Sequence, residues 1–337
     1  MKTVRFFRFV GRPKFFCAWV LVLSVLSSVS VPTAEAQEQK NNAAASAAKN
    51  RQEVAAQPAD YEDWSTPSLG TSHLVAGDPL VGEKDDLEQF SRELLQMQWR
   101  AGDPVDLYVI KPKGIEKPPV IVYLYGHPAE TDRFQDDEFC KLLVKGGYAA
   151  IGFVPALSGH RYHDRPMKQW YVSELQETLG SSAHDVQMVL NYLATRGDLD
   201  MNRVGMFGQG SGATIGILAG VVDPRIKVLD LMDPWGDWPD WMEKSARIPE
   251  NERVEFVKPE FLKRVAGLDP VDWLPRLKTP AVRVQIAEFD KITPPAAKKA
   301  IAGVVPSSMT LVRYENGKQL HDALAMGKAF DWVKGRL

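Results

Sequence analysis

Short apolar runs and longer spaced apolar stripes take turns along this chain. Val120 to Tyr125, Tyr148 to Val154 and Val204 to Phe207 are nearly continuous apolar stretches, and Lys227 to Met232, Ala281 to Ile286 and Thr310 to Tyr314 follow in the same manner. Runs this short and this apolar suit strands buried on both faces. Between them the period changes. Glu177 to Arg196 carries Leu179, Ala183, Val186, Val189, Leu190 and Leu193 on one helical stripe, and Gly197 closes it. Asp136 to Val144, a segment opening at Thr214, Pro294 to Ile301 and a last stretch to Trp332 are also helical, with Thr293 before Pro294-Pro295 as a helix start. Upstream, Asp85 to Leu95 is a short amphipathic stretch. Gln96 to Arg100 and Val105 to Ile110 then alternate around Ala101-Gly102-Asp103-Pro104, a signal for two antiparallel strands. Strands alternating with helices predict an α/β protein with a mostly parallel central sheet and helices on both faces. Asp233 to Lys278, rich in Pro, Trp and charge, interrupts the alternation as an insertion or lid.

The first 36 residues change the picture of where the protein works. Lys2, Arg5, Arg8, Arg12 and Lys14 precede an apolar run from Phe15 to Val31, and Ala34-Glu35-Ala36 offers a small-residue cleavage site. That is the pattern of a secretory signal peptide, so a secreted or periplasmic protein is expected, with no stable membrane association after cleavage. Residues 37–60, rich in Ala, Gln and Asn, are expected to be a disordered linker. Without the leader the chain carries 36 basic and 42 acidic residues, a net charge of −6, which gives no nucleic-acid footprint. Cys17 leaves with the leader and Cys140 remains alone, so no internal disulfide is expected and Cys140 is a core residue.

Arg203 to Gly216 holds the most informative chemistry: a buried strand, a glycine-dense turn, then a helix start. Such a turn lifts one residue above the sheet edge, next to backbone N–H groups suited to a developing oxyanion. Two registers compete for that raised position. A direct match to G-x-S-x-G over Gly208-Gln209-Gly210-Ser211-Gly212 puts Gly210 there, which leaves no nucleophile. A shift of one residue, over Gln209 to Ala213, puts Ser211 there but sets bulky Gln209 where a small residue is wanted. Two further candidates lie at predicted strand ends, Asp290 in AEFDKITPP and His321 in GKQLHDAL. Strand length counted from Arg203 favours Gly210, whereas the presence of this acid and base favours Ser211.

The order nucleophile, acid, histidine resembles the α/β-hydrolase superfamily, with the nearest likeness to dienelactone-hydrolase-like and acetyl-xylan-esterase-like secreted hydrolases. The resemblance covers roughly Gln96 to Leu337 and implies one α/β-hydrolase domain over residues 61–337. In the family's strand count it sets Asp290 after the seventh strand, His321 after the eighth, and the Trp-rich insertion (about residues 233–278) after the sixth. It implies an exported carboxylic-ester hydrolase acting through an acyl-enzyme. Ser211 would attack, His321 would act as base and then acid, and Asp290 would orient it. Tyr125, Gly126 and His127 look like the oxyanion loop, completed by backbone at Gly210 and Gly212. Neither a metal nor an organic cofactor is implied, and the partner would be a small-molecule or saccharide ester, with acylated plant polysaccharide one example. The alternative is a catalytically inactive ligand-binding protein with Gly210 at the nucleophile position.

Other features stay secondary. Gly208, Gly210 and Ala213 also match G-x-G-x-x-[GA], with Asp230 at 22 residues as a ribose-binding acid, but about five strands precede this loop where a dinucleotide fingerprint opens its domain. Trp235 and Trp238, with Trp241 and Trp273, could line a substrate pocket or pin the insertion to the sheet. His160, Arg161, His163 and Asp164 read as a polar pocket rim before a metal cluster, and His184 as a packed helix residue.

Overall fold

The computed structural model describes residues 62–70, 72–128, 131–162, 170–325 and 328–337. The leader and the linker expected at 37–60 lie outside the described residues, and Ala59–Leu337 forms a unit of its own. Nine strands make one sheet: β1 (Leu80–Asp86), β2 (Phe90–Met97), β3 (Val105–Pro112), β4 (Pro119–Leu124), β5 (Ala149–Gly152), β6 (Asp200–Gln209), β7 (Ile226–Met232), β8 (Ala281–Ala287) and β9 (Thr310–Tyr314). Their order is β1-β2-β3-β5-β4-β6-β7-β8-β9. The pairs from β1 to β5 through β2 and β3 are antiparallel, and those from β5 through β4 to β9 are parallel.

The amphipathic stretch expected at Asp85 to Leu95 is instead the end of β1 and most of β2, and the strand expected over Gln96 to Arg100 ends at Met97. The reason is visible in the burial. β1 is an edge strand, exposed at almost every position, so it leaves no apolar pattern in the sequence.

Helices cover both faces. α1 (Asp137–Val144) starts where the Asp136 carboxylate accepts from the Phe139 N–H at 2.8 Å. α2 (Leu175–Arg196) ends at Gly197, whose φ of 71° suits glycine. α3 (Ser211–Val222) is apolar around its whole circumference and is buried over Ser211 to Gly220. Between β7 and β8 come the short helices α4 (Trp238–Lys244), α5 (Arg253–Phe256), α6 (Pro259–Ala266) and α7 (Pro270–Trp273). α8 (Pro295–Gly303) follows β8, and α9 (Gly317–Ala325) and α10 (Lys328–Lys334) follow β9.

One core joins β2 to β8 with α2, α3 and the helices after β7; the other joins the opposite face of the sheet with α1 and α10, through Cys140, Leu143, Phe330 and Val333. Each fully buried Leu or Phe contributes about 1.5–3 kcal/mol to holding these layers together. Among the described residues no helix is long and apolar enough to cross a membrane. This packing leaves the carboxyl ends of β4, β6, β7 and β8 to form the floor of one pocket.

Candidate active site

The turn after β6 resolves its two registers in backbone terms. Gly210 stands at the apex with φ 58° and ψ −124°, a conformation costly for any residue with a Cβ. Ser211 is the first residue of α3 and is fully buried. Its hydroxyl accepts the His127 N–H at 2.9 Å. Ser211 therefore does not occupy the raised position that a one-residue shift would give it. β6 stays paired to its last residue, with Gln209 opposite Met232, and the Gly210 N–H then donates to the Met232 carbonyl at 2.8 Å. The strand is thus longer than its apolar run, yet the turn still begins one residue too early to raise the serine.

Glycines make the close approach around this turn. A Cβ on Gly126 would lie 2.7 Å from the Gln209 carbonyl oxygen, and one on Gly212 would lie 2.2 Å from that of Leu124. Gly212 is thus a packing contact between α3 and β4, and it does not line the pocket.

Above Gly210 lies a cavity of about 360 Å³, within the usual range for a small ligand. Tyr125, Gly126, His127, Gln209, Gly210, Trp235 and Asp290 line it, as do Arg133, Asp233 and Arg247, which the sequence did not single out. His127 stacks on Tyr171 with ring centroids 4.5 Å apart. Burial, helped by the positive charge of Arg247, lowers its pKa to about 4, so the imidazole is neutral. Arg133 lies over the Tyr125 ring, 3.9 Å from its centroid. The Asp290 carboxylate accepts the N–H groups of Ile292 and Thr293, each at 3.1 Å, and so caps its own loop while it faces the pocket. His321 falls on α9, but its side chain lies outside the described residues.

Asp233 is the residue that sequence reasoning missed. It follows β7 directly and has a φ of 45°, a strained value for a residue with a side chain. Its Oδ1 accepts the Ala287 N–H at 2.8 Å. Burial is the main cause that lifts its pKa to about 7; the Ala287 amide opposes the shift and the Asp290 charge adds to it. A strand-end Asp-Pro facing the next strand end was the available signal, but it looked like the first residue of an insertion.

The remaining candidates separate cleanly. Trp235 reaches the pocket, whereas Trp238 does not: it is 1% exposed and packs edge-on against Trp241, whose ring lies tilted 4.7 Å from that of Trp235. Trp273 donates its indole N–H to the Gly267 carbonyl at 2.8 Å. Asp230 is buried and holds Arg283 and Gln285 across the sheet, which leaves it no ribose to bind. Arg161 is buried between Asp103 and Asp185, and His160 lies 3.4 Å from Asp106. His163 and Asp164 lie outside the described residues. Among the described residues no group of His, Cys, Asp and Glu could hold a metal ion. Cys140 is free and buried, donates to the Phe134 carbonyl, and is pushed up to about 11 mainly by burial.

Known structures share this architecture. The chain is similar to an acetyl xylan esterase from a Paenibacillus species, with 16% identity over 81% of this chain and 91% of that one, at a TM-score of 0.60. It is also similar to an acetyl xylan esterase from a Thermoanaerobacterium species, with 15% identity over 75% of this chain and 89% of that one, at 0.57. An acylaminoacyl peptidase from Pyrococcus horikoshii matches at 14% identity over 71% of this chain and 45% of its own, at 0.52. This is the α/β-hydrolase fold. No family model matches the sequence, and no curated protein does either. At such identities the α/β-hydrolase likeness establishes the architecture, and the chemistry has to be argued from the site itself.

Proposed function

We propose that the pocket above Gly210 takes a small ester, free or carried on a saccharide, and that no acyl-enzyme forms on Ser211. One observation carries this reading: the apex of the β6–α3 turn is a glycine, while the adjacent serine is buried with its hydroxyl accepting the His127 N–H. A nucleophile must reach the carbonyl carbon with its oxygen free and next to a base. Among the described residues the Ser211 oxygen meets neither condition, and the N–H it accepts comes from the loop expected to bind an oxyanion. The ester preference is supported by the fold and by the mixed lining of Trp235, Arg247, Asp233 and Asp290. Export by the leader over residues 1–36 belongs to the same proposal and would put the pocket outside the cytoplasm.

The rival is the serine esterase with Ser211, Asp290 and His321. It is favoured by the contact at 2.9 Å between His127 and Ser211, which keeps that hydroxyl beside the expected oxyanion loop. A fluorophosphonate probe separates the two. The wild type should remain unlabelled, whereas Gly210→Ser, which supplies a hydroxyl at the apex, should gain label at residue 210. Label mapped by mass spectrometry to Ser211 in the wild type would establish the rival.

A further inference from the structure

Three strand ends bring Gly126, Gly210 and Asp233 side by side. Leu124 pairs with Gly208 and Gln209 with Met232, so the next residues along β4, β6 and β7 continue the row at the usual spacing of about 5 Å between strands. At Gly210 no side chain stands where a nucleophile would be carried. A Cβ there would meet the Trp235 indole nitrogen at 3.3 Å and the Gly126 Cα at 3.7 Å. One strand away, Asp233 is clamped at both ends of its backbone and side chain. Its N–H donates to the Gln285 carbonyl at 2.8 Å and its Oδ1 accepts from Ala287, while its Oδ2 has no protein donor among the described residues. Strain of this kind persists only where surrounding structure enforces it, and it clusters at working sites.

We infer that Asp233 is the general base of this pocket and drives direct attack of water on the bound ester above Gly210. This rests on the pocket function proposed above and adds turnover to it. Asp233 takes a proton from a water standing over the bare apex, and the water oxygen forms a bond to the ester carbonyl carbon. The carbonyl oxygen becomes an oxyanion facing the Ser211 N–H, the first of the twelve-residue α3. As that intermediate collapses, the bond to the alcohol oxygen breaks and Asp233 returns its proton to the leaving oxygen. A carboxylic acid and an alcohol result, and no co-reactant other than water is consumed.

The environment of Asp233 fits the task. A base works best when its pKa lies near the working pH. The charges facing Asp233 from the β8–α8 side are Asp290, Glu288 and Lys298; Arg133, Arg247 and the neutral His127 share the pocket lining.

The test uses p-nitrophenyl acetate for turnover and its ketone analogue, 4-nitrophenylacetone, for binding by quenching of tryptophan fluorescence. Wild type should turn over steadily without a burst, with a rate that rises with pH and levels off above about 7, where Asp233 is ionised. Asp233→Asn keeps an oxygen for the Ala287 N–H. It should lower kcat by about 100-fold or more, as loss of a general base does, with ketone affinity little changed. Asp233→Glu, which keeps a carboxylate, should recover part of the rate and keeps the test decisive if the Asn variant folds poorly. An Asp233→Asn rate equal to wild type, or a wild type that binds the ketone without hydrolysing the ester, would end this inference and leave the pocket function standing. Failure of the ketone to bind would end both, as would a burst with adduct on Ser211.

Discussion

Two buried carboxylates, Asp185 and Asp233, show how one side chain is put to opposite uses. Asp185 lies on α2 and is completely buried. Its Oδ1 accepts from the Trp99 indole at 2.8 Å and from Arg100, and its Oδ2 accepts from Arg161 at 2.8 Å. Burial alone would raise its pKa, but the two guanidinium groups outweigh that and hold it below the ordinary carboxylate range. The network runs on. Arg161 also grips Asp103, and Arg100 grips Glu62, so the chain at 62–70 is strapped onto α2. A Cβ on Gly180 would lie 2.3 Å from the Trp64 carbonyl oxygen, a measure of how closely that strap sits. Asp233 has one backbone N–H in place of two guanidinium groups, and its pKa rises to about 7. Full compensation makes a fixed ion that fastens the fold. Partial compensation makes a group that changes protonation near neutrality, and that is where chemistry can occur.

The largest effect should come from Asp185→Asn. It would leave the buried Arg100 and Arg161 without the anion between them, and breaking a buried pair in this way costs about 3–5 kcal/mol. Asp233→Asn, which removes a charge that the fold disfavours, should cost less than about 1 kcal/mol at neutral pH because the Ala287 hydrogen bond survives. Chemical denaturation of both variants measures the contrast. Equal losses would mean that the two carboxylates do not differ as their surroundings imply.

A smaller effect is expected at the apex. Gly210→Ala forces a Cβ into φ 58° and ψ −124°, which should destabilise by about 1–3 kcal/mol. The added methyl has only the Trp235 indole at 3.3 Å to displace, so strain and not collision sets the cost. A melting temperature equal to wild type would mean that the turn relaxes, and with it the case for an enforced glycine apex would fall.

Much of the frame is legible in the residues alone. β4 and β5 read as strands because strands buried on both faces are continuous apolar runs, and α2 ends where Gly197 says it should. The edge strand β1 is illegible for the converse reason, since it buries almost nothing. At the site, Gly126, His127, Gly210 and Asp290 reach the pocket that their positions at strand ends suggested. The register at 210 and 211 was not readable, because it depends on hydrogen bonding that carries β6 to Gln209, past its apolar part. Asp233 escaped because a positive φ leaves no mark on an aspartate. The strap network escaped because its partners, such as Glu62 with His184 and Asp103 with Arg161, are far apart along the chain.

The mildest way to sharpen the contrast is pH, and the two regions should respond with opposite sign. Burial opposes the charge on Glu62, but hydrogen bonds from Arg100 and His184 bring its pKa down from 4.5 to about 2. A lowered carboxylate adds stability that is present above its unfolded pKa and lost as pH falls, here between about 4.5 and 2. His184 ties the same strap to α2, since its ring nitrogens lie 2.6 Å from the Glu62 carboxylate and 3.0 Å from the Thr66 carbonyl. Asp233 runs the other way. A raised carboxyl adds stability that is present below 3.8 and lost as pH climbs to about 7. The wild-type denaturation midpoint should therefore fall on the acid side through the strap and sag toward neutrality through the pocket. Asp233→Asn should remove the second slope and leave the first. If the variant and the wild type keep the same midpoint difference from pH 4 to pH 8, Asp233 titrates alike in both states, and the chemistry assigned to its surroundings has no support.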